Sequence, residues 1–344
     1  MTPFNVALIG YGYAGRTFHA PLINAAADLH LAMVASSDAA KVHADWPDVE
    51  VVATPQAAMN DPSIDLVVIA TPNNTHAPLA ICALQAGKAV VIDKPFAVTL
   101  EEARAVMHAA TACACLASVF HNRRWDADFL ALKDLLDHGG LGAVVSFESH
   151  FDRFRPVVRD RWREQAGPGA GVWYDLAPHL IDQALVLFGA PEAVFADIAI
   201  RRAGAGAADD FHSVLHYPRH RVVLAASMLR ADSRLRFAVH GAEGSLISEG
   251  LDIQEDQLKA GASPRSEGFG RMARPGLLTL GEAAAQPLPP ATGRYADYYA
   301  AIAKALSGAG PNPVPLDQAY DVMRIIALGE LSSRERRVAL WGDI

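Results

Sequence analysis

Residues Asn5-Val-Ala-Leu-Ile-Gly10-Tyr-Gly12-Tyr-Ala-Gly15 join a short apolar run to a glycine-spaced turn, and a helix-like stretch follows from about Ala14 to Ala26. The run is continuously apolar rather than alternating, so it reads as a strand buried on both faces. The turn is a G-x-G-x-x-G, a weak pattern alone but informative where it closes a strand and opens a helix. In that setting Gly10 makes the tight turn, Gly12 lets the backbone approach a pyrophosphate, and Gly15 permits close helix packing. Tyr11, Tyr13 and Ala14 complete the loop and join the glycines as candidates for binding a dinucleotide.

Outward from this turn the same alternation repeats. Leu29–Ala35, Ile64–Ala70, Ala89–Ile92 and Cys115–Phe120 read as strands, with helices predicted over Thr75–Ala86 and Leu100–Ala112. Pro78 falls in the first turn of the former helix and Gly87 lies beyond its end, where each residue suits the backbone. Strands alternating with helices predict an α/β fold, a doubly wound parallel sheet of the Rossmann kind over residues 1–120. From His121 the texture changes. A helix at Asp128–His138 precedes strand-like segments at Ala143–Phe151, Ala193–Ile200, Phe211–Tyr217, Val222–Leu229, Arg234–His240 and Ser245–Ser248. Strands without intervening helices predict a C-terminal α+β domain over residues 121–344 with an open mixed or antiparallel sheet. One long amphipathic helix is expected at Val172–Phe188, an irregular loop at Ala260–Thr292, and helices at Tyr295–Leu306 and Leu316–Ser332.

The 344 residues favour two domains over one, and 51% hydrophobic with 20% charged residues provides a core that a disordered chain lacks. A net charge of −8 repels polyphosphate, which argues against nucleic acid as a partner. The apolar runs fall far short of a membrane span, and the N-terminal residues lack the basic start of a secretion signal. Cys82, Cys113 and Cys115 are too few for a disulfide framework. Reduced thiols and a cytoplasmic location are the expectation, with no metal role for the cysteines.

Three further stretches carry chemistry. Ser36-Ser37-Asp38 follows the second strand, where an acid suits a ribose 2′-OH and hydroxyls or a cation suit a 2′-phosphate. Asp38 leans to NAD and the serines with Lys41 lean to NADP, while a helix cap by Ser37 or Asp38 explains them equally well. Thr71-Pro72-Asn73-Asn74-Thr75-His76 lies at a strand's carboxyl end, where polar side chains can line a cofactor, although Thr75 reads as a cap. Asp93-Lys94-Pro95 ends the next strand; a lysine there can hydrogen-bond a substrate hydroxyl and stabilise a developing alkoxide. In the second domain Asp175, His179 and Asp182 are spaced by four and three, one face of a helix. A histidine flanked by carboxylates can accept a substrate proton near neutral pH, and a satisfied core histidine is the competing explanation.

With these pieces assembled, the chain resembles the glucose–fructose oxidoreductase, inositol dehydrogenase and MocA-like (Gfo/Idh/MocA) family of NAD(P)-dependent oxidoreductases. Gly10–Gly15, Asp93-Lys94-Pro95 and Gly171-x-x-x-Asp175-x-x-x-His179 stand in the family's order. Phe18-His-Ala-Pro21, His121-Asn-Arg-Arg-Trp125-Asp126, Arg161-Trp-Arg163 and Asp182-Gln183 are similar to the branch containing NADP-dependent scyllo-inositol dehydrogenases. That branch often carries Ser-Arg where this chain has Ser37-Asp38, so the choice between NADP and NAD stays open. The resemblance implies Lys94 as catalytic lysine, Asp175 as substrate-binding aspartate and His179 as proton carrier. It places Arg123, Trp162 and Arg163 at the nicotinamide and substrate pocket. For Arg153, Arg155, Arg159, Arg161 and Arg163 a solvated surface ladder is the competing explanation, because Asp152, Asp160 and Glu164 interleave with them, and of the five only Arg163 is kept as a site candidate. The substrate implied is a polyol or sugar and the assembly a homodimer or homotetramer. Two alternatives stay open: a dinucleotide-sensing regulator of the same fold, and a reductase of a non-sugar carbonyl or imine.

Overall fold

The computed structural model describes residues 2–272 and 274–344. β1 (Phe4–Ile9) leads through the glycine turn to α1 (Ala20–Ala25), β2 (Leu29–Ala35), α2 (Ala39–Asp45), β3 (Glu50–Val52) and α3 (Pro55–Asn60). β4 (Leu66–Ile69), α4 (His76–Gln85), β5 (Ala89–Ile92), α5 (Leu100–Cys113) and β6 (Ala117–Val119) continue the alternation. Next come α6 (Ala127–Asp137), β7 (Val144–His150), α7 (Gly171–Asp175) and α8 (Ala177–Phe188). A run of strands follows: β8 (Ala193–Ala199), β9 (Asp210–His216), β10 (Arg221–Ser227), β11 (Leu235–Gly241) and β12 (Gly244–Glu249). The chain closes with α9 (Gln254–Lys259), β13 (Leu277–Leu280), β14 (Gln286–Pro287), α10 (Ala296–Leu306), α11 (Leu316–Glu335) and β15 (Ala339–Leu340).

The first compact unit comprises the chain up to Trp125 with Ile253–Gly270 and Arg294–Tyr320. Its six-stranded sheet runs β3-β2-β1-β4-β5-β6, every pair parallel. All four residues of β4 and of β5 are buried, as expected where helices cover both faces of a sheet. Because β1 is flanked by β2 on one side and β4 on the other, the strand order reverses there. In open α/β sheets ligands bind beyond the carboxyl ends of the strands at such a point. The segments from beyond residue 250, which the sequence reading assigned to the second domain, pack here for a visible reason. The rings of Tyr298 and Tyr299 on α10 meet Phe120 at 5.0 and 5.8 Å, and the Tyr298 hydroxyl donates to Ser118 Oγ at 2.9 Å.

The second unit comprises Asp126–Asp252, Arg271–Gly293 and Asp321–Ile344. Its nine-stranded sheet has the order β14-β13-β12-β11-β7-β10-β9-β8-β15, mixed because β7 and β10 are parallel while their other neighbours are antiparallel. α8 lies against this sheet, with Phe188 and Phe147 5.4 Å apart between ring centres. Arg236 is buried there, but its charge is compensated: Nε lies 3.2 Å from Asp128 Oδ2, and the guanidinium donates to Gln183 Oε1 at 2.6 Å and Ser149 Oγ at 2.7 Å.

Three elements depart from the sequence reading. The predicted helix at Ala14–Ala26 begins as a π-helical turn, Gly15–His19, before α1. The helix expected over Val172–Phe188 is two, α7 and α8, because Pro178 lacks an N–H and its ring crowds the carbonyl one turn back. Finally, the expected irregular loop at Ala260–Thr292 contains β13 and β14. Leu277–Leu280 pairs antiparallel with β12, but a strand of four residues between glycines is too short to show a period.

Candidate functional site

The glycines of the turn do separate jobs. Gly10 has φ +95°, and a Cβ built on it would lie 2.5 Å from the Ala70 carbonyl oxygen, a contact no side chain survives. A Cβ on Gly15 would come within 2.1 Å of the Gly10 carbonyl oxygen. At Gly12 it would meet no described atom within 4 Å. Two glycines are thus fixed by the protein's own packing, while Gly12 leaves open a backbone cradle that a side chain would fill. The residues present therefore fit a dinucleotide pyrophosphate. Gly12→Val is expected to leave the melting temperature unchanged and to weaken dinucleotide binding about tenfold or more. Calorimetric titration checks this, and unaltered affinity would contradict it.

Around the loop, side chains face the protein. Tyr11 is buried and its hydroxyl donates to Asp45 Oδ2 at 2.8 Å, a carboxylate that Arg16 also holds at 2.7 and 2.9 Å. A cavity of about 500 Å³ borders these residues, Trp46 and the segment from Leu258 to Arg265, but not His76 or Lys94. The Tyr13 hydroxyl donates to Glu255 Oε1 at 2.7 Å, and Arg123 donates to Glu255 Oε2 at 2.8 Å. Burial would raise the Glu255 carboxyl, but the Arg123 charge, then Tyr13 and Lys259, outweigh it and hold the group at about 2. Tyr13 and Arg123 are thus joined through an acid that the sequence reading did not single out; it lies 132 residues from Arg123 and carries no local signal.

After β2, Asp38 Oδ1 accepts from the Lys41 N–H at 3.0 Å and caps α2, with Ser36 Oγ accepting from the Asp38 N–H at 3.1 Å. Ser37 is exposed, and the Lys41 ammonium donates to the Tyr11 carbonyl at 3.0 Å. Beyond β4, Thr75 does not cap α4 as expected. Its backbone is helical at φ −102°, ψ −9°, and its hydroxyl turns back to Pro72 O at 2.7 Å and Thr71 Oγ1 at 2.6 Å. Pro72 and Asn74 are exposed on this turn. His76 is buried, with Nδ1 2.7 Å from Pro95 O and Nε2 2.8 Å from Thr71 O, so it ties the loop after β4 to the loop after β5. Burial holds its pKa below the ordinary imidazole value although both nitrogens face carbonyls.

Lys94 lies two residues beyond the end of β5, on the carboxyl edge that also carries Gly10 and Thr71. Its N–H donates to Asp93 Oδ1 at 2.8 Å, and His19 Nε2 lies 3.8 Å from Asp93 Oδ2. Burial would raise the Asp93 carboxyl; His19, then Lys94 and His76, reverse this and hold it at about 2. His19 is itself fully buried, its Nδ1 2.6 Å from the Tyr299 hydroxyl.

In the second unit Gly171 has φ +82°, and a Cβ there would strike Ala208 O at 2.7 Å. Only glycine lets α7 start against this loop, where the Val172 N–H donates to Ala208 O at 2.7 Å. Asp175 ends α7, its Oδ1 3.7 Å from Arg163 Nε. His179 and Asp182 lie three residues apart on α8, both buried. The single regular helix expected for all three is corrected: it is interrupted at Leu176, between Asp175 and His179. The Trp162 side chain lies outside the described residues. Arg159 and Arg161 are exposed, as a solvated ladder requires, whereas Arg153, Arg155 and Arg163 are partly buried, and Arg153, Arg155, Arg161 and Arg163 line one cavity with Arg202 and Asp175. Among the described residues no group of three or more His, Cys, Asp or Glu side chains is placed to hold a metal ion. Nor is any described helix long and apolar enough to cross a membrane.

Comparison with known proteins fits this geometry. Residues 4–121 match the Gfo/Idh/MocA oxidoreductase family's NAD-binding Rossmann fold, and residues 133–340 its C-terminal alpha/beta domain. The chain belongs to the Gfo/Idh/MocA oxidoreductase family. As a member it is an NAD(P)-dependent oxidoreductase acting on a small-molecule substrate. It is 55% identical over 334 residues to the oxidoreductase YdgJ of Escherichia coli K12, covering 96% of each chain. It is 36% identical over 340 residues to the scyllo-inositol 2-dehydrogenase (NADP(+)) IolW of Bacillus subtilis, covering 97% of this chain and 95% of that one. A solved structure of an oxidoreductase from Yersinia pestis, 54% identical, superposes with a TM-score of 0.95 over 98% of this chain and 97% of that one.

Proposed function

We propose that this Gfo/Idh/MocA oxidoreductase moves a hydride between NAD(P) and the carbinol or carbonyl carbon of a cyclitol or sugar. In this reading the first unit, Arg123 included, carries the dinucleotide and the second supplies Asp175 and His179 to the substrate. The observation that carries it is the emergence of Gly10–Gly12, Thr71 and Lys94 from the same carboxyl edge, at the ends of β1, β4 and β5. The name of the Bacillus relative supports the substrate class.

Bound NAD(P) supplies the hydride acceptor, or donor in the reverse direction, at nicotinamide C4. Lys94 donates a hydrogen bond to the substrate oxygen and stabilises the negative charge that develops as the C–H bond breaks. His179 takes the hydroxyl proton, so the carbinol loses a hydride and a proton and becomes a carbonyl. Asp175 accepts from a neighbouring hydroxyl and orients the ring, with Arg163 beside it. The glycine turn, Ser36–Asp38, Thr71, Pro72, Asn74, His76 and Arg123 would hold the dinucleotide. A cytoplasmic homodimer or homotetramer completes the reading, and light scattering measures the assembly.

Purified protein, supplied separately with NAD and NADP, is to be assayed at 340 nm against inositols, aldoses and their keto forms. Substrate-dependent change is the expected result. Cofactor binding with no turnover across the panel would sink the reading in favour of a dinucleotide sensor. On cofactor choice, Asp38→Arg is expected to shift the ratio of kcat/KM toward NADP if the free carboxylate oxygen faces the ribose. It should also lose the cap on α2, worth roughly 0.5–2 kcal/mol. An unchanged ratio with the lost stability would leave Asp38 as a cap alone.

A further inference from the structure

The cavity beside Asp175 holds about 40 Å³, enough for one polyatomic group and too small for a sugar ring. Five guanidiniums line it, those of Arg153, Arg155, Arg161, Arg163 and Arg202. Two carboxylates, Glu164 and Asp175, are among its lining residues, and both are engaged. Glu164 receives Arg202 at 3.1 Å, Arg161 at 3.5 Å and the Arg159 N–H at 2.9 Å, while Asp175 lies 3.7 Å from Arg163. Arg202 is structural, being buried and bonded to Asp209 at 2.8 Å and to the Arg155 carbonyl at 3.0 Å. Arg153 lies over the Phe151 ring at 4.9 Å.

Arg155 is half-buried, and among the described residues no carboxylate lies within 4.0 Å of its guanidinium. Burial, then repulsion from Arg153, Arg159 and Arg161, lowers its pKa from the ordinary guanidinium value. A fold that crowds like charges around a small cavity is under electrostatic strain that an anion relieves.

Resting on the hydride-transfer reading, we infer that the substrate carries an anionic group, a carboxylate or a phosphate, which Arg155 and its neighbours bind while Asp175 holds a hydroxyl. The substrate class narrows from polyols and sugars in general to polyol acids or polyol phosphates. Arginine suits either group because its planar fork donates two parallel hydrogen bonds.

The test has a binding arm and a kinetic arm, both on the full chain with saturating dinucleotide so that the glycine turn is filled. Calorimetry with inorganic phosphate and with acetate is expected to show binding of one or both. Arg155→Gln should weaken that binding about tenfold to a hundredfold, and Arg155→Lys, which keeps the charge but loses the fork, should weaken it less. In the kinetic arm, D-glucose, D-glucuronate and D-glucose 6-phosphate are compared with myo-inositol and its monophosphate. An anionic member should exceed its neutral parent in kcat/KM, and Arg155→Gln should collapse that ratio. The preferred anion distinguishes carboxylate from phosphate. Anion binding that ignores both variants, or neutral substrates turned over as well as anionic ones, overturns the inference and leaves hydride transfer standing. Arg155-dependent anion binding without turnover of any compound supports the cavity's role and removes the hydride reading instead.

Discussion

Lys94→Ala and His179→Ala are each expected to lower kcat by ~10²–10⁴, the usual contribution of a positioned acid–base group, without abolishing dinucleotide binding. Lys94 is set by the end of β5 and by its own N–H bond to Asp93 at 2.8 Å, so removing the side chain leaves that backbone arrangement in place. His179 lies within α8, a position that accepts alanine without disturbing the helix. Pre-steady-state absorbance at 340 nm separates chemistry from product release for both variants. Near-normal turnover in either would remove that residue from the mechanism.

The largest effect on stability is expected from Asp209→Ala. Asp209 is 1% exposed and accepts from the Arg201 N–H at 2.7 Å, the Arg202 N–H at 3.1 Å and Arg202 Nε at 2.8 Å. Its removal leaves a buried guanidinium short of its main counter-charge, which typically costs about 3–5 kcal/mol. The exposed pair of Asp232 and Arg234, at 2.8 Å, is the contrast: Asp232→Ala should leave the midpoint where it is, because solvent screens that pair. Urea unfolding of both variants measures the difference. Equal midpoints would show that Arg202 finds sufficient compensation in Glu164, 3.1 Å away.

What the sequence disclosed was local. Gly10, Gly12 and Gly15 could be given separate roles because turn geometry and helix packing act over a few residues, and the structure bears out the packing roles of Gly10 and Gly15. Runs such as Val90–Ile92 announced a sheet covered on both faces. Pairings over long separations left no trace. Glu255 comes to Arg123 across 132 residues, and His19 comes to Tyr299 across 280. The same blindness hid the cavity among the arginines from Arg153 to Arg163. Arg161 is exposed and meets the interleaved Glu164, as the spacing suggests, but Glu164 also turns to Arg202 and Arg155 is left among like charges. Local signals were misread at Thr75, which does not cap α4, and at Pro178, which divides a periodic stretch that otherwise looks continuous.

In the proposed mechanism Lys94 and His179 serve one substrate oxygen, and a double-mutant cycle tests that most directly. For a substrate found in the 340 nm screen, kcat is to be measured for Lys94→Ala, His179→Ala and the pair together. If both side chains act on the same oxygen, the second replacement removes little once the first is made, and the combined loss falls well short of the product of the single losses. Losses that simply multiply would mean that the two residues act independently, and the shared mechanism would fail.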